Sequence, residues 1–191
     1  MTSAERSVNY AVEISFEAEF EERVRRLWAK LAEAGVSSLM PDMGARPHIS
    51  LATFHGIDPE QLRETVEMIA ATTAPVPIKF SSVGSFPGDE GVVFLAAVVT
   101  PELLALHADF HSRLADTGLA AHPYYRSGSW VPHCTTALEV PEDRIYEAVR
   151  ITRESDAFGA TRLAEIGVIG FDPLRVVLSR PLNPPRGTRN R

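Results

Sequence analysis

Cysteine, long apolar runs and excess positive charge are all scarce in this chain of 191 residues. A single cysteine excludes an intramolecular disulfide, so nothing points to an oxidising compartment. No apolar run approaches membrane-spanning length, and the first ten residues lack the apolar core of a signal peptide. We therefore expect a cytoplasmic protein that does not associate with membranes.

The formal net charge is −6, whereas proteins that track long nucleic-acid duplexes are usually basic. This balance leaves room for local phosphate binding through a few placed groups. The exception is the end of the chain, residues 183–191, where three arginines stand among Pro, Gly and Asn. We interpret this segment as a disordered basic tail, and the alternative is an arm that attracts nucleic acid weakly.

The hydrophobic pattern predicts one domain, residues 1–182, built from two similar halves. Apolar and β-branched runs predict strands over residues 8–16, 46–54, 76–86, 91–99, 130–140, 161–171 and 175–182. Helical spacing of apolar residues lies between most of these runs, and no linker separates the halves. The expected fold class is α/β, with sheet in the middle and helices outside.

Two hexapeptides echo each other, "PHISLA" at 47–52 and "PHCTTA" at 132–137. Each has Pro, His, a hydroxyl residue two places after the histidine, and Ala at its end. Each also lies in a predicted strand that is followed by a helix with a proline near its start. The same motif in the same context indicates an internal duplication.

Strand alternation predicts what each motif presents on its working face. One face of each strand is expected to carry a histidine, a hydroxyl and an alanine. In the first strand these are His48, Ser50 and Ala52, followed by Phe54. In the second strand they are His133, Thr135 and Ala137. Thr53 and Leu138 are expected on the opposite, apolar faces. Cys134 also falls on an apolar face, where a cysteine acts as a small hydrophobe and not as a nucleophile.

If a pseudo-twofold axis relates the halves, the two histidine faces can line one cleft. Because an imidazole has a pKa of about 6.5, one ring can serve as a general base and another as a general acid at neutral pH. Ser50 and Thr135 would hold phosphoryl oxygens, and the two motif alanines would leave room for a ligand. This arrangement suits phosphodiester chemistry with His48 and His133 as the catalytic pair.

The two motifs resemble the His-x-Ser/Thr motifs of the 2H phosphoesterase superfamily. Its bacterial branch is the 2′-5′ RNA ligase or RNA 2′,3′-cyclic phosphodiesterase family, and the resemblance extends from Tyr10 to about Leu182. It implies a bilobal, pseudo-twofold fold with antiparallel-rich sheets, helices outside and a cleft between the lobes. It also implies no metal and no cofactor, and a substrate that is an RNA 2′,3′-cyclic phosphate end or a cyclic nucleotide. The implied reaction opens the cyclic phosphate to a 2′-phosphate.

By the same resemblance, His48 and His133 carry the acid–base roles, and Ser50 and Thr135 bind phosphate. We favour His133 as the base for water and His48 as the acid, and the opposite assignment stays open. The open alternatives are a 2′-5′ RNA ligase, a 2′-5′ oligonucleotide phosphodiesterase, and a non-catalytic module that binds a nucleotide or RNA end. Ser50 stands where the family more often has Thr, and residues 135–140 lack the arginine that many RNA-acting members carry shortly after the second motif. These departures weaken the expectation of an RNA substrate more than the expectation of phosphodiester chemistry. We expect a monomer.

Residues outside the motifs offer further candidates. Tyr125 and Arg126, just before the second motif, could stack on a base and contact its phosphate, while Trp130 is expected to pack. His107 and His111 have the i, i+4 spacing of a helical zinc site. The sequence shows neither a glutamate directly after His107 nor a third ligand, so we interpret His107 as a packed or capping residue.

Overall fold

The computed structural model describes residues 9–183, so the predicted basic tail lies outside the described residues except for Asn183. Within this range the strands form one seven-stranded sheet. The elements in chain order are β1 (Tyr10–Phe16), α1 (Ala18–Glu33), α2 (Leu39–Asp42), β2 (His48–Phe54), α3 (Arg63–Thr72), β3 (Val76–Ser85), β4 (Val93–Ala97), α4 (Pro101–Asp116), β5 (His133–Ala137), α5 (Ile145–Arg153), β6 (Gly159–Gly170) and β7 (Arg175–Pro181). Every strand predicted from the sequence is present, most of them shorter than predicted.

Local signals explain where several helices begin and end. Asp58 starts the second long helical segment with a capping box, although its first turn, Pro59–Leu62, is a 3₁₀ turn. The hydroxyl of Thr100 accepts a hydrogen bond from the Leu103 backbone N–H and so caps α4. Gly35 follows α1 with a φ of +65°, a left-handed conformation that glycine adopts without strain.

All strand pairs are antiparallel. The long strand β6 joins the two halves of the sheet, which are β1 with β2 and β3 with β4 and β5. Residues 163–170 of β6 pair with β1, while residues 159–163 pair with β3. The order is β2-β1-β6-β3-β4-β5, with β7 beside β6. The first and last strands of this order, β2 and β5, nevertheless lie next to each other. The sheet therefore curves until the two motif strands meet, which confirms the expected antiparallel α+β architecture.

The helices are exchanged between the halves. Helix α1, from the first half of the chain, packs against α5 and β5 of the second half. Helix α4, from the second half, packs against α3, which covers β6 and β7. Side chains on α1 and α4 can therefore reach the motif of the opposite half. Within residues 9–183, no helix is long and apolar enough to cross a membrane.

Three buried phenylalanines join the halves in the core: Phe16 in β1, Phe20 in α1 and Phe80 in β3. The rings of Phe20 and Phe80 stack with centroids 5.1 Å apart. Phe16 contacts both of them edge to face, at 4.8 and 5.5 Å. Such pairs add to the stabilisation that burial alone provides.

We predict that Phe20→Ala lowers the free energy of unfolding by about 3–5 kcal/mol, because it leaves a cavity between the halves. Urea denaturation measures this change. Tyr146→Ala is the control, since Tyr146 is 78% exposed, and it should shift the free energy by about 0.5 kcal/mol or less. Equal effects of the two substitutions would contradict the role of this cluster.

Candidate active site

A cleft of about 950 Å³ opens where β2 and β5 meet, and both motifs line it. His48 and Ser50 come from β2, and His133 and Thr135 come from β5. The expectation that the two histidine faces share one cleft is confirmed.

Strand β2 carries a β-bulge directly after its histidine and serine. Glu13 of β1 pairs with Ser50, and the preceding Val12 pairs with Ala52, so Leu51 has no partner in β1. An extra residue of this kind restarts the alternation of side chains along the strand.

Strand β5 carries the equivalent bulge at the same place in its motif. Phe94 of β4 pairs with Thr135, and the preceding Val93 pairs with Ala137, so Thr136 is left over. Thr136 is buried, and its hydroxyl donates a hydrogen bond to the Val93 carbonyl at 3.0 Å. The internal repeat therefore extends to the irregular backbone of the motifs.

These bulges make part of the alternation prediction wrong. Ala52, Phe54 and Ala137 belong to the hydrophobic core and do not face the ligand. Thr53 and Leu138, expected on the apolar faces, line the cleft instead. The two alanines therefore cannot be what leaves room for a ligand.

Each bulge is held by an indole N–H from elsewhere in the fold. Trp130 donates from Nε1 to the Ser50 carbonyl at 2.9 Å, and Trp28 donates to the Thr135 carbonyl at 3.1 Å. These are the two tryptophans of the chain, and each acts on the motif of the opposite half. The same bond is therefore made twice, on the residue just before each bulge.

His107 and His111 of α4 brace the first bulge. The His107 ring stacks on Trp130 with centroids 4.0 Å apart, and its Nε2 donates to the Tyr125 carbonyl at 2.8 Å. His111 donates from Nε2 to the carbonyl of the bulged Leu51 at 3.2 Å. Burial lowers the pKa of His107 to about 4, so this ring is neutral. The interpretation of His107 as a packed residue is confirmed. Separately, the described residues contain no cluster of three or more His, Cys, Asp or Glu placed to hold a metal.

The two motif histidines are oriented in the same way. His48 donates from Nδ1 to the Arg46 carbonyl at 2.7 Å, and His133 donates from Nδ1 to the Val131 carbonyl at 2.6 Å. Each acceptor lies two residues before its histidine. These bonds fix the tautomer and leave Nε2 of each ring as the nitrogen available for proton transfer.

The surroundings of His133 favour the neutral ring. Phe86 and Phe94 lie against it, with ring centroids at 4.9 and 5.0 Å. Burial lowers the pKa of His133, and the charge of His48 lowers it further.

The surroundings of His48 differ, because a carboxylate lies beside it. Glu13 Oε2 is 3.3 Å from His48 Nδ1. Burial raises the pKa of Glu13, and the nearby His48 opposes that rise. The carboxyl group of Glu13 therefore stands beside the His48 ring, whereas aromatic rings stand beside His133. Glu13 was not among the residues predicted from the sequence, although a single carboxylate within the apolar segment YAVEISF was a usable signal.

Of the two loop candidates, the structure brings only Tyr125 into the cleft. Tyr125 lines the cleft together with Ser50, and burial raises the pKa of its hydroxyl, so it remains a phenol. Arg126 is exposed, its Nε donates to the Ala121 carbonyl at 3.0 Å, and it is not part of the cleft lining.

Arg46 does line the cleft, but carboxylates engage its guanidinium. Its Nε lies 2.7 Å from buried Glu21, and its Nη1 lies 2.5 Å from Glu165. Cys134 is fully buried, and burial raises the pKa of its thiol to about 12. The expectation that this cysteine packs in the apolar layer is confirmed.

This fold, with two equivalent histidine motifs facing one cleft, is that of the 2H phosphoesterases. The family model described as the 2′-5′ RNA ligase superfamily matches residues 16–172. The chain therefore belongs to the 2′-5′ RNA ligase superfamily.

Solved structures show the same fold at low sequence identity. TT0787 of Thermus thermophilus is 16% identical with a TM-score of 0.63. Escherichia coli LigT in complex with 3′-AMP is 15% identical with a TM-score of 0.59. In both cases the match covers 92% of this chain and 98% of the other.

Two Geobacillus proteins, both named provisionally as phosphoesterases, are related in sequence. The protein from Geobacillus kaustophilus is 32% identical over 98 residues, and that from Geobacillus thermodenitrificans is 34% identical over 98 residues. Each match covers 50% of this chain and 53% of the relative. The chain thus spans about half the length of the curated relatives it matches.

We predict that the indole N–H of Trp130 stabilises the first bulge measurably. Replacing Trp130 with 3-benzothienylalanine keeps the ring shape and removes the N–H donor. The free energy of unfolding should fall by about 1–3 kcal/mol, because the Ser50 carbonyl loses its partner. The same replacement at Trp28 should give a similar loss in urea denaturation. Unchanged stability at both positions would contradict the bracing role.

Proposed function

We propose that this protein is a phosphodiesterase that opens 2′,3′-cyclic phosphates to 2′-phosphates, using His133 as general base and His48 as general acid and requiring no metal. The observation that carries the proposal is the contrast between two equally oriented imidazoles. One is held neutral among aromatic rings, and the other lies beside a buried carboxylate. A base and an acid in one cleft are what this displacement needs.

The proposed reaction uses one water molecule. His133 Nε2 takes a proton from water, and the water oxygen forms a new bond to phosphorus. The bond from phosphorus to O3′ breaks, and His48 Nε2 gives its proton to O3′. The product has a 2′-phosphate and a free 3′-hydroxyl. At this point His133 is protonated and His48 is neutral, and exchange with solvent restores both.

Ser50 and Thr135 are proposed to bind the non-bridging phosphate oxygens. Both side chains line the cleft, each two residues after a histidine on the same strand face. Hydroxyl donors placed beforehand stabilise the charge that develops on these oxygens in the transition state. Tyr125, which also lines the cleft, is proposed to orient the Ser50 hydroxyl.

The comparisons support a nucleotide-sized phosphate ligand. Crystals of LigT, which has the same fold, contain 3′-AMP in one case and phosphate in another. The relatives in Geobacillus carry the phosphoesterase name. The proposal that this chain hydrolyses a cyclic phosphate is based on its own two histidines, His48 and His133.

Replacing either histidine should abolish turnover while the fold survives. We predict that His48→Ala and His133→Ala each lower kcat on adenosine 2′,3′-cyclic phosphate by about 10²–10⁴-fold, since each removes a proton-transfer group. Assays run in chelator, with products identified by mass spectrometry, measure the loss.

Cys134→Ala is the control for those variants, because the thiol is buried and protonated. It should keep kcat within about twofold of the parent, with any cost appearing in stability instead. Full activity in both histidine variants would refute the two-histidine mechanism. Binding of nucleotide without turnover of any cyclic phosphate would indicate a binding module instead.

The pH dependence should report the unequal surroundings of the two rings. The acidic limb of kcat/KM should lie below pH 6.5, the ordinary imidazole value, because the base His133 has a lowered pKa. Glu13→Gln should lower kcat and leave the acidic limb in place, because it removes the carboxyl group beside His48 and does not change the surroundings of His133. Glu90→Gln, which removes an exposed carboxylate elsewhere in the cleft, is the control. An unchanged kcat in Glu13→Gln would contradict a role for this carboxyl group.

A further inference from the structure

We infer that the substrate carries a single phosphate and an uncharged remainder of about nucleoside size, and is not an RNA chain. This inference rests on the proposed function and names the substrate class of the same site. Two independent features of the cleft carry it, its charge and the character of its floor.

The charged residues around the cleft are mostly acidic. The carboxylates that line it are Glu13, Asp89, Glu90 and Glu165. Within the described part of the chain, Arg46 is the one lysine or arginine of the lining. Its guanidinium already pairs with Glu21 and Glu165.

An RNA chain would meet this cleft at a disadvantage. Every nucleotide beyond the cyclic end adds a negative charge, and proteins usually neutralise such charges with lysine or arginine. Here the exposed carboxylates of Asp89 and Glu90 stand in the connection between β3 and β4, which lines the cleft near His133. At physiological salt, exposed charges interact over about 8 Å. A polyanion brings more than one phosphate within reach of Asp89 and Glu90, so these carboxylates repel it more strongly than they repel a single phosphate.

The floor of the cleft is formed by the open faces of β1, β6 and β7, and it changes from polar to apolar. The pairing places Ser50, Glu13 and Gly167 side by side in one row. The next row on that face contains Thr53, Ala11, Ile169 and Val176. Adjacent rows on one strand face are about 7 Å apart. Phe171 and Leu174 extend the apolar part beyond the second row.

This gradient matches a molecule with one charged end. The phosphate would lie at the row that holds Ser50, between the two histidines. The uncharged part would then lie on the apolar row, where Val176 is 63% exposed. Ligand sites of this size commonly combine a mostly apolar lining with a few placed polar groups.

The test compares one nucleotide with a chain that ends in the same nucleotide. The substrates are adenosine 2′,3′-cyclic phosphate and an eight-nucleotide RNA ending in adenosine 2′,3′-cyclic phosphate. Titration calorimetry with 2′-AMP and the matching RNA 2′-phosphate adds a readout that needs no turnover. We expect at least tenfold higher kcat/KM and tenfold tighter binding for the single nucleotide than for the RNA. Glu90→Lys should reduce both ratios, because it replaces a negative charge of the cleft with a positive one.

Val176→Asp tests the apolar floor, and Val99→Asp is its matched control. Both valines are exposed, at 63% and 52%, and only Val176 lines the cleft. Val176→Asp should raise KM and the Kd for the single nucleotide about tenfold with kcat nearly unchanged, whereas Val99→Asp should change neither.

The outcomes separate the two proposals. Preference for the RNA in binding or kcat/KM would overturn the substrate class while leaving the phosphodiesterase intact. Equal effects of the two valine substitutions would overturn the apolar subsite. Tight binding of 2′-AMP with no turnover of either cyclic phosphate would refute the proposed function but support the single-phosphate ligand.

Discussion

The site depends on two β-bulges, each fixed by an indole N–H that reaches it from the opposite half of the fold. Without the bulge, alternation would turn Thr53 and Leu138 away from the cleft. An unpaired backbone carbonyl beside each bulge would be costly, and Trp130 and Trp28 remove that cost. The irregular backbone, which a sheet normally disfavours, is therefore what separates a ligand-facing row from a core-facing row in each motif.

The two halves are similar in backbone and different in electrostatics. The rings of His48 and His133 are oriented by the same bond to a carbonyl two residues earlier. Their neighbours on the paired strands differ: Glu13 lies across from Ser50, and Phe94 lies across from Thr135. A carboxyl group beside one ring and an aromatic ring beside the other give two identical groups different electrostatic surroundings. Under the proposed mechanism, this one difference at an equivalent strand position is what would let a duplicated motif supply both an acid and a base.

The order of elements and the shared cleft could be predicted from the sequence, because they depend on short-range patterns and on a repeated hexapeptide. Cys134 was also predictable, since it precedes the bulge in β5, where alternation still holds. The positions of Ala52 and Ala137 were not, because a bulge depends on the pairing with a distant strand. For the same reason the exclusion of Arg126 from the cleft could not be predicted, since its loop conformation depends on tertiary contacts.

Exchange of helices and the shared strand β6 make the halves mutually dependent. Trp28 lies on a helix of the first half yet completes the motif strand of the second, and β6 pairs with strands of both. A movement that opened the cleft by separating the halves would break both indole bonds and the ladder along β6. The energetic cost of that movement favours a cleft whose histidines keep their positions between reaction cycles. Because proton transfer requires donors and acceptors held in place, this rigidity suits acid–base catalysis more than ligand capture by closure.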